Sequence, residues 1–384
     1  MVKRCNWISQ IERGWERRSL IWLSGVRRVG KTFLCKSLDN VEYFDCELPG
    51  VRHRMEDPES FLRSLKRKVV LDEIHRLFNP AELLKIAVDH LPNLKIVATG
   101  SATLQTSAKF RDALTGRKEE IHLTPMISED LEDFGNTNLR HRFLHGGLPP
   151  FFLSQSVPER DFQEWVDSYW AKDIQELFRL ERRHAFQKLL ELLFVNSGGL
   201  FEATRYARPC EISRATVSNY LSVLEHTSAV YIVRPFSTHR PTEIISAPKV
   251  YAFDTGFVCY YRGWQSLQPE NLGILWEHYL LNEIIARAQN RNIFYWRDKQ
   301  GHEIDFVLVP HRGQPPITIE CKWSSGNYKE KNLRVFRKKY PEGENWVVCQ
   351  DLQESYPRKV NGLQINFLNL AGLVTRLEET SRRR

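Results

Sequence analysis

The segment formed by residues 25–32, Gly-Val-Arg-Arg-Val-Gly-Lys-Thr, constrains the fold of this chain more than any other stretch. It follows an apolar run at residues 20–23, which predicts a buried strand, and it precedes residues 33–38, whose apolar spacing predicts a helix. Two glycines separated by four residues and followed by Lys-Thr, between a strand and a helix, are typical of a phosphate-binding loop. We therefore predict that residues 25–32, called here the phosphate loop, bind a nucleoside triphosphate.

Each residue type in the phosphate loop has a physical role in this prediction. Glycine leaves room for phosphates to approach backbone N–H groups, and the following helix directs its N-terminal N–H groups at them. The lysine ammonium would contact the β- and γ-phosphates, and the threonine hydroxyl would ligate Mg²⁺. The predicted cofactors are ATP and Mg²⁺, and the predicted cofactor-binding residues in and beside the loop are Gly25, Arg28, Val29, Gly30, Lys31, Thr32 and Phe33.

Strand and helix patterns alternate through the rest of the first third of the chain. Apolar runs predict strands at residues 41–45, 69–73 and 94–101, and helical patterns lie at 58–65 and 81–91. Short apolar strands that alternate with helices indicate an α/β fold with a parallel sheet covered on both faces. Ligands of such sheets bind at the carboxyl ends of the strands, where the phosphate loop and the polar strand ends would meet.

Asp72 and Glu73 follow the predicted strand at residues 69–73 and are the candidates for the chemistry of hydrolysis. Asp72 would bind Mg²⁺, directly or through water, and Glu73 would polarise the attacking water. Thr99 and Ser101, at the end of the next strand, would hydrogen-bond the γ-phosphate or this water. For all four residues the alternative is a structural role in capping the helix that follows the strand.

Arg117 is the candidate that would bring positive charge to the transferred phosphate, from a neighbouring subunit. The alternative is an ordinary solvated arginine.

The motifs at residues 26–32, 71–75, 99–102 and 114–117 occur in an order and spacing that resemble one family. They are similar to the AAA-type ATPases of bacteria and archaea that carry a winged helix and a restriction-endonuclease-like C-terminal domain. The resemblance implies nucleotide-site roles for Lys31, Thr32, Asp72, Glu73 and Ser101. It also implies an inter-subunit role for Arg117.

The middle of the chain, residues 136–265, is predicted to hold a helical linker and a winged helix. Residues 201–207 and 214–225 have the pattern of two helices joined by a turn, and apolar runs at 229–233 and 250–253 would form the wing. The second helix of such a module can enter the major groove of DNA. A contact surface for another protein is an equally good interpretation.

Asp305, followed after fourteen residues by Glu320-Cys321-Lys322, gives the last part of the chain the pattern of a restriction-like nuclease. Residues two apart on a strand share a face, so Glu320 and Lys322 would point the same way. Asp305 and Glu320 would hold Mg²⁺, Lys322 would orient or deprotonate the attacking water, and Glu277 would complete the metal shell through water, with Glu283 as the alternative. A salt-bridged strand pair in an inactive relic is the competing interpretation.

The overall charge favours an anionic partner, because the formal net charge is +8 and the pI about 9.1. A basic helix at about residues 329–340 would suit the DNA backbone, and a solvated helix surface is the alternative. We expect no membrane span and, from seven scattered cysteines, a cytoplasmic location.

The sequence thus predicts an α/β multidomain protein in three parts. Residues 1–135 form a parallel-sheet P-loop AAA-type ATPase core, 136–265 a helical linker with a winged helix, and 266–384 a restriction-endonuclease-like α/β domain. The predicted function is ATP hydrolysis coupled to work on DNA, with Mg²⁺-dependent endonuclease activity in the last domain. The alternative is a nucleotide-regulated switch that binds DNA or protein and does not cleave. A homo-oligomer, a ring or a smaller assembly, would complete the ATP site.

Overall fold

The computed structural model describes residues 2–100, 108–157, 159–175, 178, 180, 182–238, 247–289, 292–311 and 313–382. In this part of the chain, no helix combines the length and the apolar character that crossing a membrane requires.

Most helices have one buried apolar face, as shown by α1, which buries Trp7, Ile11 and Trp15. A π-helical turn, Trp170–Gln175, continues α10, and short 3₁₀ turns lie at Ile74–Arg76 and Ser325–Asn327. The helices are α1 Cys5–Arg17, α2 Lys31–Lys36, α3 Pro49–Arg54, α4 Pro58–Arg63, α5 Pro80–His90, α6 Ala108–Leu114, α7 Ser128–Asp133, α8 Leu139–His145, α9 Pro149–Phe152, α10 Glu159–Tyr169, α11 Arg183–Val195, α12 Ala203–Ala207, α13 Arg214–His226, α14 Thr255–Tyr261, α15 Pro269–Ala288, α16 Lys331–Lys339 and α17 Leu370–Arg382.

The strands form two sheets, one of five strands and one of nine. They are β1 Leu20–Ser24, β2 Glu42–Asp45, β3 Lys68–Asp72, β4 Lys95–Thr99, β5 Lys118–His122, β6 Gly199–Leu200, β7 Val230–Pro235, β8 Lys249–Ala252, β9 Ile293–Arg297, β10 Glu303–Leu308, β11 Ile317–Lys322, β12 Asn345–Cys349, β13 Tyr356–Val360 and β14 Leu363–Leu368.

The five-stranded sheet has the order β2-β3-β4-β1-β5 with every pair parallel. Its inner strands are apolar along their length, and Val69, Val70 and Leu71 of β3 are completely buried. Continuous burial is expected where helices cover both faces of a parallel sheet. The sheet therefore brings the ends of β1, β3 and β4 together at its carboxyl edge, as the sequence predicts.

The nine-stranded sheet has the order β13-β14-β12-β11-β10-β9-β7-β8-β6. The two runs expected to form a wing are its antiparallel strands β7 and β8, and β7 also pairs with β9 in parallel. Strands β10 and β11, which carry the predicted nuclease residues, are antiparallel neighbours. The strands of the middle part of the chain and those of the C-terminal part therefore belong to one sheet.

By its contacts, the chain divides into two compact units. The first contains the five-stranded sheet and the second the nine-stranded sheet. Each unit is assembled from separate stretches of chain. The first comprises Met1–Leu139, Gly147–Arg183 and Leu221–Ala229, and the second Arg140–Gly146, His184–Tyr220 and Val230–Arg384.

Candidate functional site

The phosphate loop joins β1 to α2 at the carboxyl edge of the five-stranded sheet. Gly25 has φ +145°, and a Cβ at this position would lie 2.5 Å from the backbone oxygen of Leu123. Gly30, with φ +103°, precedes α2 in the left-handed region. Both positions therefore require glycine, one for space and conformation and the other for conformation.

The side chains in and beside the loop differ in their contacts and in their exposure. The Lys31 ammonium donates hydrogen bonds to the carbonyl oxygens of Gly25 at 2.8 Å and Val26 at 3.4 Å. Val29 is buried, whereas Arg28, in the left-handed region at φ +63°, is exposed. Phe33 on α2 is 65% exposed, so its ring is accessible to a ligand.

Asp72 is the centre of the hydrogen bonding at this edge. Its side chain is only 3% exposed and accepts hydrogen bonds from the hydroxyls of Thr32 at 2.8 Å and Tyr43 at 2.6 Å, and from Thr99. Tyr43 is a site residue that the sequence analysis missed. A buried carboxylate and a threonine hydroxyl are hard oxygen donors of the kind that Mg²⁺ prefers, so Thr32 and Asp72 fit the predicted metal.

Glu73 lies beside Asp72 in the left-handed backbone conformation, at φ +53°. Its N–H donates to the Thr99 hydroxyl at 3.0 Å, and one of its carboxylate oxygens lies 3.2 Å from Nδ1 of His75. Burial opposes ionisation of Glu73, but the His75 hydrogen bond and the nearby Lys31 and Arg27 charges hold its pKa below the ordinary value. Glu73 is therefore an ionised carboxylate near neutral pH.

The segment α10 with its π-helical turn also contacts the phosphate loop. The Trp165 indole donates to the backbone oxygen of Arg27 at 3.0 Å, and the Arg27 guanidinium lies 3.5 Å from Asp173. Burial raises the pKa of Asp173 above its ordinary value. The sequence places Asp173 in a helix but gives no sign of this long-range contact.

Arg117, a predicted nucleotide-site residue, does not lie beside the loop of its own chain. Arg117 immediately precedes β5, which runs parallel to β1, so Arg117 lies at the amino edge of the sheet, opposite to the phosphate loop. Its guanidinium pairs with Asp89 at 2.7 Å. Ser101 lies outside the described residues.

In the second unit, Asp305 of β10 and Glu320 and Lys322 of β11 form a cluster called here the acidic centre. The Lys322 ammonium lies 2.9 Å from an Asp305 oxygen and 2.8 Å from a Glu320 oxygen. The same Asp305 oxygen accepts a hydrogen bond from the Cys321 N–H at 2.7 Å. The three residues therefore meet as their strand spacing predicts.

Burial and neighbouring charges both shift the pKa values of the residues in the acidic centre. Burial, with a further contribution from Asp305, raises the pKa of Glu320 to about 8. Burial lowers the pKa of Lys322, but Asp305 and Glu320 outweigh it and raise this pKa above its ordinary value. Lys322 thus holds its proton in this arrangement, which favours orienting a water over deprotonating it.

Glu277 of α15 extends the acidic centre toward β8. It accepts a hydrogen bond from the Tyr251 hydroxyl at 2.6 Å and lies 3.8 Å from the Lys249 ammonium, which also bonds to Glu303. Burial, and secondarily Asp305, raises the pKa of Glu277 to about 7. Lys249 and Tyr251 come from the strand that was expected to form a wing, and the sequence analysis did not assign them to this site.

The alternative helix acid, Glu283, does not join this group. It is completely buried and pairs with Arg287 one turn away on α15. Glu277 is therefore the helix acid that the structure places near Asp305.

The acidic centre has donors that suit a divalent cation, including a buried Glu320 oxygen, Oε1, for which the described residues supply no hydrogen-bond partner. Lys322, however, lies between the two carboxylates where such a cation would bind. Among the described residues, no three His, Cys, Asp or Glu side chains converge to hold a metal on their own. Binding of a cation by Asp305 and Glu320 would thus require Lys322 to move aside, and the metal set Glu277, Asp305 and Glu320 stays a prediction.

The two helices predicted to contact DNA, α13 and α16, both carry solvent-exposed polar or basic side chains. Just before α13, Ser213 accepts a hydrogen bond from the Thr216 N–H at 3.1 Å, and on the helix Arg214, Ser218 and Asn219 are exposed. On α16, Arg337 is not part of the basic face, because it is 4% exposed. The exposed basic residues on and beside α16 are Lys329, Lys331, Arg334, Lys338 and Lys339.

Comparison with known families gives matches to three consecutive parts of the chain. Residues 17–131 match the AAA domain. Residues 136–268 and 272–368 match two domains of unknown function, DUF8612 and DUF4143. The first match supports an AAA-type ATPase domain around the phosphate loop.

Individual proteins are similar over much of the chain. An uncharacterized protein of Mycobacterium tuberculosis is 25% identical over 346 residues, covering 87% of this chain and 77% of the relative. An uncharacterized protein of Haemophilus influenzae is 21% identical over 342 residues, covering 80% and 84%. A solved structure, described as a Walker-type ATPase of Pyrococcus abyssi, aligns with a TM-score of 0.44 at 16% identity, over 68% of this chain and 96% of that one.

Proposed function

We propose that this chain hydrolyses ATP at the phosphate loop and uses the reaction to control an action on DNA. The proposal of ATP hydrolysis rests on the contact between Thr32 and Asp72 beside an ionised Glu73. Thr32 and Asp72 would hold Mg²⁺, which neutralises charge on the phosphate oxygens. Lys31 would contact the same oxygens, and Glu73 would accept a hydrogen bond from the attacking water.

The ATPase half is tested by three variants in a phosphate-release assay. Lys31→Ala is expected to abolish turnover, whereas Glu73→Gln should keep ATP binding and trap the nucleotide. Glu59→Gln, in an exposed ion pair on α4, is the matched control and should behave as wild type. Equal turnover in wild type and Glu73→Gln would refute the role of Glu73.

The action on DNA that we propose is Mg²⁺-dependent strand cleavage at the acidic centre. The proximity of Asp305, Glu320 and Lys322, with the exposed basic side chains of α16 in the same unit, supports it. Asp305 and Glu320 would hold the metal, with Glu277 joining through water, and the metal would supply Lewis-acid stabilisation of the phosphate. Lys322 would orient the attacking water.

A nucleotide-regulated switch that binds DNA or protein without cleavage is the second candidate. One observation favours it, because the Lys322 ammonium already donates hydrogen bonds to both carboxyl groups that would hold the metal. Linear, branched and single-stranded DNA, incubated with Mg²⁺ or Mn²⁺, separate the two functions. Cleavage by wild type that is lost in Asp305→Asn and Lys322→Ala, but kept in the control Asp298→Asn, supports the nuclease. If wild type cuts none of the substrates, the switch is correct.

We also propose that Arg117 acts across the interface of a homo-oligomer, because in its own chain it lies at the edge opposite to the phosphate loop. Arg117→Ala would then lower ATP turnover while leaving ATP affinity unchanged. Adding Lys31→Ala subunits, which keep Arg117, to the Arg117→Ala protein should restore part of the turnover. A monomer in sedimentation velocity with Mg²⁺ and ATP would contradict this role.

A further inference from the structure

Arg4, which precedes α1, is a buried arginine in contact with the phosphate loop. The residue is 4% exposed, and its NH1 nitrogen donates to the backbone oxygen of Val29 at 3.0 Å. The other guanidinium nitrogens donate to the carboxylate of Asp130, with Nε 2.8 Å from Oδ1, and to the backbone oxygen of Thr124 at 3.3 Å. One side chain thus links the phosphate loop to the segment that leads into α7. Arg4 also lies outside the part of the chain that matches the AAA domain, residues 17–131.

Asp130 holds the Arg4 guanidinium in one orientation. Its side chain is fully buried, and one of its carboxylate oxygens also accepts hydrogen bonds from the Trp7 indole at 3.1 Å and the Ile127 N–H at 3.0 Å. A buried carboxylate with this many donors has little freedom to move, and a two-pronged contact with arginine fixes the plane of the guanidinium. Since Asp130 neutralises Arg4, the contribution of Arg4 to the loop is geometric.

The contact with Val29 determines which way one peptide group of the loop faces. The carbonyl of Val29 and the N–H of Gly30 belong to the same planar trans peptide, so they point in opposite directions. With the carbonyl held by Arg4, the N–H of Gly30 is turned to the opposite side of the loop backbone. N–H groups of this loop type are the donors that cradle phosphates.

We propose that Arg4 is a positioning residue for nucleotide binding, which holds the Val29–Gly30 peptide in the orientation that presents its N–H to a phosphate. This inference rests on the proposed ATP site. Without the Arg4 contact, the peptide can rotate, and ordering it costs free energy at each binding event. Lysine cannot replace arginine here, because an ammonium does not supply the planar set of donors that reaches Asp130 and Val29 together.

The test is the dissociation constant for Mg²⁺·ATP, measured by calorimetry on full-length variants, with apo thermal stability measured in parallel. Arg4→Lys is expected to raise the constant by about tenfold, as for loss of a charge-assisted hydrogen bond. Asp130→Asn, which loosens the guanidinium, should raise it by a smaller factor. Trp15→Phe, the matched control, removes another buried indole hydrogen bond of α1, to the backbone oxygen of Ile96, and its affinity should stay within about twofold of wild type.

The outcomes separate this inference from the proposed function. If wild type binds no ATP, the proposed function fails. If wild type binds and folded Arg4→Lys binds equally well, only the role of Arg4 is overturned. An equal loss of affinity in Trp15→Phe would also overturn it, because the effect would then follow general destabilisation. Should Arg4→Lys not fold, Asp130→Asn decides, and unchanged affinity in that variant refutes the proposal.

Discussion

The Thr32 hydroxyl donates a hydrogen bond to the Asp72 carboxylate at 2.8 Å, across forty positions of sequence. The contact joins the start of α2 to the end of β3, and the parallel order of the five-stranded sheet brings these two segments to the same edge. Both partners offer oxygen to a cation, and Glu73 lies next to them in the chain.

Asp72→Asn should lower ATP turnover on the order of 100-fold, because an amide is a poor ligand for Mg²⁺ and cannot carry the negative charge. Asp45→Asn, at the end of the neighbouring strand β2 and in register with Asp72, is the control for loss of one carboxylate at this edge. Turnover is measured as phosphate release over a range of Mg²⁺ concentrations. Wild-type turnover in Asp72→Asn would contradict the metal role of Asp72.

Gly25→Ala should lower the free energy of unfolding by about 3 kcal/mol, because φ at this position suits only glycine. The added Cβ would also overlap the backbone oxygen of Leu123. Gly50→Ala in α3 is the control, since nothing lies within 4 Å of a Cβ there, and alanine should be neutral or slightly stabilising in a helix. Urea unfolding measures both variants, and equal stabilities would refute the packing of the phosphate loop.

Lys249→Met should lower the free energy of unfolding by about 3 kcal/mol, because it leaves the carboxylates of Glu277 and Glu303 without their buried cation. Lys359→Met, which replaces an exposed lysine on β13, should change it by less than about 0.5 kcal/mol. If the two variants unfold at the same urea concentration, Lys249 is not the cation that balances this side of the acidic centre.

Two arginines of α16 should behave oppositely. Arg337 is buried and donates to the Asn345 side chain at 2.6 Å and to the backbone oxygen of Pro316 at 3.1 Å, so Arg337→Ala should cost about 3 kcal/mol of stability. Arg334 is exposed, so Arg334→Ala should leave the free energy of unfolding unchanged. The variant should bind DNA more weakly than wild type, and its DNA affinity should depend less on salt concentration, because one contact with a phosphate is lost. DNA affinity equal to wild type at low salt would exclude Arg334 from the interface.

Local sequence patterns were sufficient where a motif and a regular element coincide. The glycine spacing of the phosphate loop, the apolar run of β3 and the polar end of β4 predict that Thr32, Asp72 and Thr99 meet. The sequence also predicts that Glu320 and Lys322 lie together, because residues two apart on β11 share a face. The register of β10 and β11 then brings Asp305 beside them.

Contacts between distant segments were not predictable in this way. Tyr43, Arg4 and Lys249 reach their sites from other elements, and none of them lies in a motif. Arg337 has the spacing of a solvent-facing residue, but carbonyl groups from neighbouring loops bind its guanidinium inside the unit. Strand β5, Lys-Glu-Glu-Ile-His, is too polar to be recognised as a strand, because it lies at the sheet edge with only Ile121 buried.

Calorimetric titration of Mg²⁺·ATP into the wild-type protein and into Lys31→Ala measures directly whether the phosphate loop binds a nucleotide. Wild type should give a saturable heat of binding with one nucleotide per chain, and Lys31→Ala should lose it. No heat from wild type, or equal binding by the two proteins, would show that the phosphate loop is not a nucleotide site.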